Sequence, residues 1–145
     1  MDYSQINAYL VDIFNKVLVI EETSLRTSQF NDISLKEMHT IEIIGKNAKV
    51  TPSDIARAQM ITLGTVTASL NKLEAKGYIE RSRSQSDRRV VYLSLTKKGR
   101  LIDRLHSKFH KRLVEHIVEE FDETDVEALT KGLSNLHQFL EELIS

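Results

Sequence analysis

The hydrophobic period of this chain changes at Gly77, and few folds accommodate such a change. Upstream, Leu63, Val66, Leu70 and Leu73 recur at steps of three and four, which places them on one face of a helix over residues 63–76. Downstream, "YIERSRS" and "VVYLSL" alternate as strands do, with Val91, Leu93 and Leu95 on one side of the return strand. Gly77 sits at the switch, where a residue free to take a positive φ ends a helix well. Ahead of this helix, "TPSDIARAQMI" reads as a shorter one over residues 51–61. Thr51 is placed to cap it, Pro52 takes the first position, where its missing N–H costs nothing, and Ile55 and Ala56 point inward. Thr62 makes the brief turn between the two helices.

Helix, turn, helix and hairpin in that order make a winged helix-turn-helix, placed here over residues 33–96. The flanks read differently. Tyr3, Ile6, Leu10, Ile13, Val17 and Ile20, and again Val126, Leu129, Leu133, Leu136, Leu140 and Leu143, keep the strict spacing of a coiled-coil seam. A third series, Leu101, Leu105, Phe109, Leu113, Ile117 and Phe121, repeats every four residues, so its stripe drifts around a helix over 97–121 and touches more than one neighbour. Residues 1–30 and 97–145 are therefore expected to form a helical dimerisation region in which the terminal helices of two copies interlock. An intramolecular bundle gives a similar pattern. "SLKE" and "TDVE" mark two more helix starts, with Ser34 three residues before Glu37 and Thr124 three before Glu127. One proline, five glycines and 28% charged residues suit the resulting fold class, mainly α with a small β-hairpin wing.

The net charge of −1 hides a division. Residues 51–100 hold ten Lys and Arg against four Asp and Glu, a balance of +6, while the remainder holds ten against seventeen, a balance of −7. A basic middle on an acidic scaffold is the footprint of a nucleic-acid-binding module. Opposite its apolar stripe, the helix over 63–76 presents Gly64, Thr65, Ala68 and Lys72, with Thr67 and Asn71 on the flanks and Thr62 at its start. Short residues let a helix approach base edges in a major groove, hydroxyls and amides read those edges, and a cation meets phosphate. On the hairpin, Arg89 is the candidate for minor-groove insertion, where a guanidinium is drawn by concentrated negative potential, and Asp87 is placed to hold its base. Arg88, Lys97 and Lys98 are expected at phosphates, with Arg81 and Arg83 as further DNA-binding candidates. A protein-binding adaptor that docks an acidic partner would carry the same basic middle; a steep linear salt dependence on DNA separates the two.

The run "SDIARAQMITLGTVTASLNKLEAKGYIERSRSQSDRRVVYLSLTKKG" resembles the MarR family of bacterial winged-helix transcription regulators. The likeness includes the wing signature Asp87-Arg88-Arg89 and the strand-to-helix junction Leu95, Thr96 and Gly99, and it extends over nearly the whole chain. More narrowly, "VLVIEETSLR" and "KEMHTIEIIG" with the wing look like the MarR-type repressors of fatty-acid synthesis genes. That resemblance implies a homodimer on a pseudo-palindromic double-stranded operator, with long-chain acyl groups delivered on acyl carrier protein as corepressor and no other cofactor required. Phe14, Met38, His39, His106, Phe109, His110 and Leu113 are the residues expected to frame the effector.

"HSKFH" raises an alternative. His106 and His110 lie four apart on one helix face, a spacing at which two imidazoles share a metal. With His39 and Glu21 or Glu22 they resemble the one-carboxylate, three-histidine set of zinc-sensing members of the family. Neutral imidazoles beside Ile102, Phe109 and Val114 are also satisfied without metal. No nucleophile elbow, phosphate-cradling glycine loop or supported carboxylate pair is present, so the chain is not read as an enzyme. Cysteine is absent, no segment reaches the roughly 18 apolar residues of a membrane span, and "MDYSQINAY" lacks the order of a signal peptide. A cytoplasmic setting without a membrane partner is expected.

Overall fold

The computed structural model describes all 145 residues. Six helices and one hairpin follow in the order α1 (Ser4–Arg26), α2 (Leu35–Lys46), α3 (Pro52–Gln59), α4 (Leu63–Ala75), β1 (Ile79–Arg83), β2 (Val91–Leu95), α5 (Lys97–Ile117) and α6 (Glu123–Ile144). This is the mainly α fold with a β-hairpin wing that the change of period demands. The chain divides into two compact units, Met1–Arg104 and Leu105–Ser145. No helix is long and apolar enough to cross a membrane.

In the first unit the helix ends follow local chemistry. Ser34 with Glu37, and Thr51 with Asp54, form reciprocal capping boxes at the starts of α2 and α3. Met60, in the left-handed region at φ 56°, ends α3, and Thr62 caps α4 by accepting the Thr65 N–H at 3.2 Å. α4 stops in a Schellman motif: Gly77 at φ 85° donates to the Glu74 carbonyl, and the Tyr78 N–H reaches back to Leu73, both at 3.0 Å. Val66, Leu70 and Leu73 of α4 are buried together with Ile41 and Ile44 of α2, Ile55 of α3, Tyr78, Ile79, Leu93 and Leu95. Each fully buried aliphatic side chain contributes about 1.5–3 kcal/mol. Leu63 departs from the expected stripe: at the first position of α4 it is 50% exposed, because the helix has not yet reached the core there.

The hairpin pairs antiparallel, Ile79 with Leu95 through Arg83 with Val91. Val50 adds one bridge, accepting the Leu93 N–H at 2.7 Å, which ties the segment before α3 to the wing. The junction into α5 explains its own sequence. Thr96 Oγ1 donates to the Gly77 carbonyl at 2.6 Å and accepts the Gly99 N–H at 3.2 Å, capping α5 while pinning it to the end of α4. Gly99 passes against the Tyr78 carbonyl oxygen so closely that a Cβ would overlap it.

In the second unit α5 ends at Ile117, four residues short of the expected end at 121, because Glu120 turns into the left-handed region at φ 65° and Phe121 N–H bonds back to Val118. The cap of α6 is Asp122, not Thr124. Its carboxylate accepts the Asp125 N–H at 2.8 Å and Asp125 returns the bond at 3.2 Å. A carboxylate two residues earlier outcompetes the threonine hydroxyl because its charge also meets the positive end of the helix.

Candidate nucleic-acid interface

Burial of Val66, Leu70 and Leu73 turns the opposite side of α4 outward. Gly64, Thr65, Ala68 and Lys72 are exposed there, flanked by exposed Thr67 and Asn71. A Cβ on Gly64 would meet nothing within 4 Å, so the surface is open at the very point where a helix must come closest to a groove floor. Thr62 Oγ1 and Thr65 Oγ1 lie 2.8 Å apart, and the Thr67 hydroxyl donates to the Leu63 carbonyl at 2.9 Å, so the hydroxyls at the start of α4 are held in place. A shallow groove beside this face is lined by Gly64, Thr65, Ala68, Ser69 and Lys72 and by Ser34 and Glu37 from the start of α2. Sequence reasoning found Ser34 and Glu37 as a cap but missed them as neighbours of α4; that proximity comes from tertiary packing and leaves no local signal.

On the wing, Asp87 grips Arg89 three times. Oδ1 accepts the Arg89 backbone N–H and Nε, both at 3.1 Å, and Oδ2 accepts Nη2 at 3.2 Å. Those bonds, the side-chain ones foremost, hold the Asp87 carboxyl below its ordinary pKa. The Arg89 side chain nevertheless stays 91% exposed, so its charge is oriented without being buried. Arg88 is exposed beside it, and Arg83 donates to the Arg88 carbonyl at 2.8 Å, stiffening the tip.

Two cations sit differently from the expectation. Period-two alternation puts Arg81 on the same side of β1 as buried Ile79. There Nη1 donates to Glu74 Oε1 at 2.8 Å and Nη2 to Asn71 Oδ1 at 3.0 Å, and only 25% of the side chain is exposed. Arg81 is a brace between wing and α4. Lys98, assigned to phosphate with Lys97, instead lies 4.3 Å over the Tyr78 ring, donates to the Lys76 carbonyl at 3.2 Å and sits 3.9 Å from Asp32 Oδ2; Lys97 remains exposed. The buried Tyr78 hydroxyl donates to Asp32 Oδ1 at 2.5 Å, which latches the segment before α2 to the end of α4. That bond, with Lys98 behind it, holds the Asp32 carboxyl below its ordinary pKa, while burial and Asp32 push the Tyr78 phenol up.

The effector and metal candidates fall into both units. In the first, Met38 is 1% exposed and belongs to the packed core, which makes it a packing residue in this structure, while Phe14 is 58% exposed on α1. His39 Nε2 lies 3.6 Å from Oε2 of buried Glu21. In the second unit His106 Nε2 and His110 Nε2 are 2.9 Å apart, Phe109 packs against the His110 ring at 5.7 Å, and Leu113 is half-buried.

The profile of the MarR family matches residues 33–91. The HTH-type transcriptional regulator YfiV of Bacillus subtilis is 32% identical over 111 residues, covering 76% of this chain and 69% of that protein. The HTH-type transcriptional regulator PchR of the same organism is 28% identical over 148 residues, covering 91% of this chain and 88% of its own length. Among solved structures, Streptococcus pneumoniae FabT in complex with DNA superposes with a TM-score of 0.87 at 63% identity, covering 98% of this chain and 99% of that one.

Proposed function

This chain belongs to the MarR family of DNA-binding transcription regulators, and from that premise we propose that it is a cytoplasmic repressor of fatty-acid synthesis genes. It binds a pseudo-palindromic operator as a homodimer, with long-chain acyl-acyl carrier protein as corepressor. α4 of each copy enters the major groove in successive turns, about 34–36 Å apart, and the Arg89 wing tip follows the flanking minor groove. The observation that carries this reading is the 63% identity with FabT over nearly the full length, in a structure that holds DNA. The motif runs that resemble fatty-acid synthesis repressors point the same way. The homodimer is supported by apolar faces left open on both terminal helices: Ile6, Ile13 and Ile20 on α1, and Leu133, Leu140 and Leu143 on α6, are each 47–64% exposed.

Operator binding measured in parallel with apo carrier protein, long-chain acyl carrier protein, zinc and chelator tests the effector. Long-chain acyl carrier protein tightens binding at least several-fold and the apo form does not; an equal response to both rejects the corepressor. The 2.9 Å approach of the His106 and His110 nitrogens favours zinc as a second reading. Loss of operator affinity in chelator, restored by zinc and with zinc uptake by calorimetry, would put zinc in place of the acyl group.

A further inference from the structure

We infer that Arg81 is a specificity-determining residue, which fixes Asn71 as a hydrogen-bond donor to the DNA and so selects guanine over adenine at the base that Asn71 meets. The inference rests on the reading of α4 as the helix that enters the major groove. Asn71 is exposed on the flank of the outward face of α4, beside β1. A free asparagine reads adenine with both ends of its carboxamide, Oδ1 accepting from the adenine amino group while Nδ2 donates to N7. Here that arrangement is pre-empted. Arg81 Nη2 lies 3.0 Å from the carboxamide, and because a guanidinium has only donors, the atom facing it must be the oxygen. The oxygen keeps a second lone pair, but its position is set by the guanidinium on β1, so Nδ2 is the end of the carboxamide left to turn to a base. What Asn71 offers outward is the pair of Nδ2 hydrogens, and these suit guanine, which presents two acceptors, N7 and O6, better than adenine, whose single acceptor N7 stands beside an amino donor.

The brace is itself held. Arg81 Nη1 is bound to Glu74 Oε1 at 2.8 Å, and Asn71 and Glu74 are three residues apart, hence stacked on one face of α4. Glu74 neutralises the guanidinium, which separates this role from that of a phosphate ligand. Truncating a phosphate ligand weakens binding to every sequence and lowers the slope of log affinity against log salt by about one. Truncating Arg81 changes which base is preferred and leaves the slope alone.

The test is selection from a randomised duplex pool by the full-length protein and by Arg81→Ala, with the bound fractions sequenced. Wild type enriches guanine at one position of each half-site. Arg81→Ala shifts that position toward adenine, by of the order of tenfold in relative affinity, the size of one bidentate base contact. Arg81→Lys keeps the pair with Glu74 but lacks the planar fork, so it shifts the same way and covers the case in which the alanine variant does not fold. Asn71→Ala erases the preference with or without Arg81. If Arg81→Ala selects the wild-type bases with uniformly lower affinity and a flatter salt slope, Arg81 is a phosphate ligand and the inference fails while DNA reading by α4 stands. If wild type selects no sequence at all, both fall.

Discussion

Arg89 and Gly64 separate the demands of folding from those of DNA. The Asp87–Arg89 pair is exposed, and such pairs add little to stability. Arg89→Ala is therefore expected to leave the melting temperature within experimental scatter while operator affinity falls by about 1 kcal/mol or more and the salt slope flattens. Gly64 lies in open space at the second position of α4, so Gly64→Ala leaves the fold as stable as before or slightly more stable, glycine being the poorer helix former. Its operator affinity falls, because the methyl occupies space that a base edge needs; equal affinity would move the groove contact elsewhere on α4. Asp32 gives a pH signature. Its folded-state pKa is depressed, so its stabilising bond from Tyr78 is fully present above the unfolded value of about 3.9 and is lost as pH falls through the folded value. In thermal melts, wild type exceeds Asp32→Asn at about pH 6 and the difference narrows as pH falls below about 3.9. At this scale the sequence revealed residue types better than directions. The grip of Asp87 on Arg89 was legible because the two lie two residues apart. The inward turn of Arg81 and the seat of Lys98 on Tyr78 depend on contacts seven or more residues distant, and nothing local announces them.

Elements were most legible where a cap, a glycine and a period agreed. α2, α3 and α4 begin at Ser34, Thr51 and Thr62 as their side chains dictate, and α4 ends at Gly77 because the Schellman turn needs a positive φ there. Two boundaries in the second unit were missed for one reason: several residues near 117–125 compete to cap, and a four-residue hydrophobic step runs through the break as if it were helix. The junction between β2 and α5 is the element-scale prediction. Gly99→Ala drives a methyl into the Tyr78 carbonyl, which is backbone and cannot rotate away, so a loss of about 1–3 kcal/mol is expected in chemical denaturation. Because Tyr78 also carries the latch to Asp32, that variant should lose the pH dependence described above along with its stability. A variant as stable as wild type would mean that the wing base yields more readily than its packing indicates.

For the whole molecule, the seams at the two ends of the chain were legible as apolar repeats long before anything indicated what covers them. In the folded chain Leu133 and Leu140 remain 52% and 48% exposed, on the face where the seam predicts a second copy. Leu133→Lys with Leu140→Lys is expected to give a helical monomer by sedimentation that binds operator at least an order of magnitude more weakly, since each half-site then binds alone. A stable, DNA-competent dimer would remove the seam from the account. Effector chemistry was not legible at any scale, because an acyl chain or a metal is recognised by residues scattered over several helices. The central claim, that α4 and the wing of two copies meet one duplex, is tested most directly by titrating a pool-selected duplex with wild-type protein between about 50 and 200 mM salt, with stoichiometry read in the same experiment. The account predicts two chains per duplex and a log affinity that falls linearly and steeply with log salt. One chain per duplex, or affinity indifferent to salt, would contradict it.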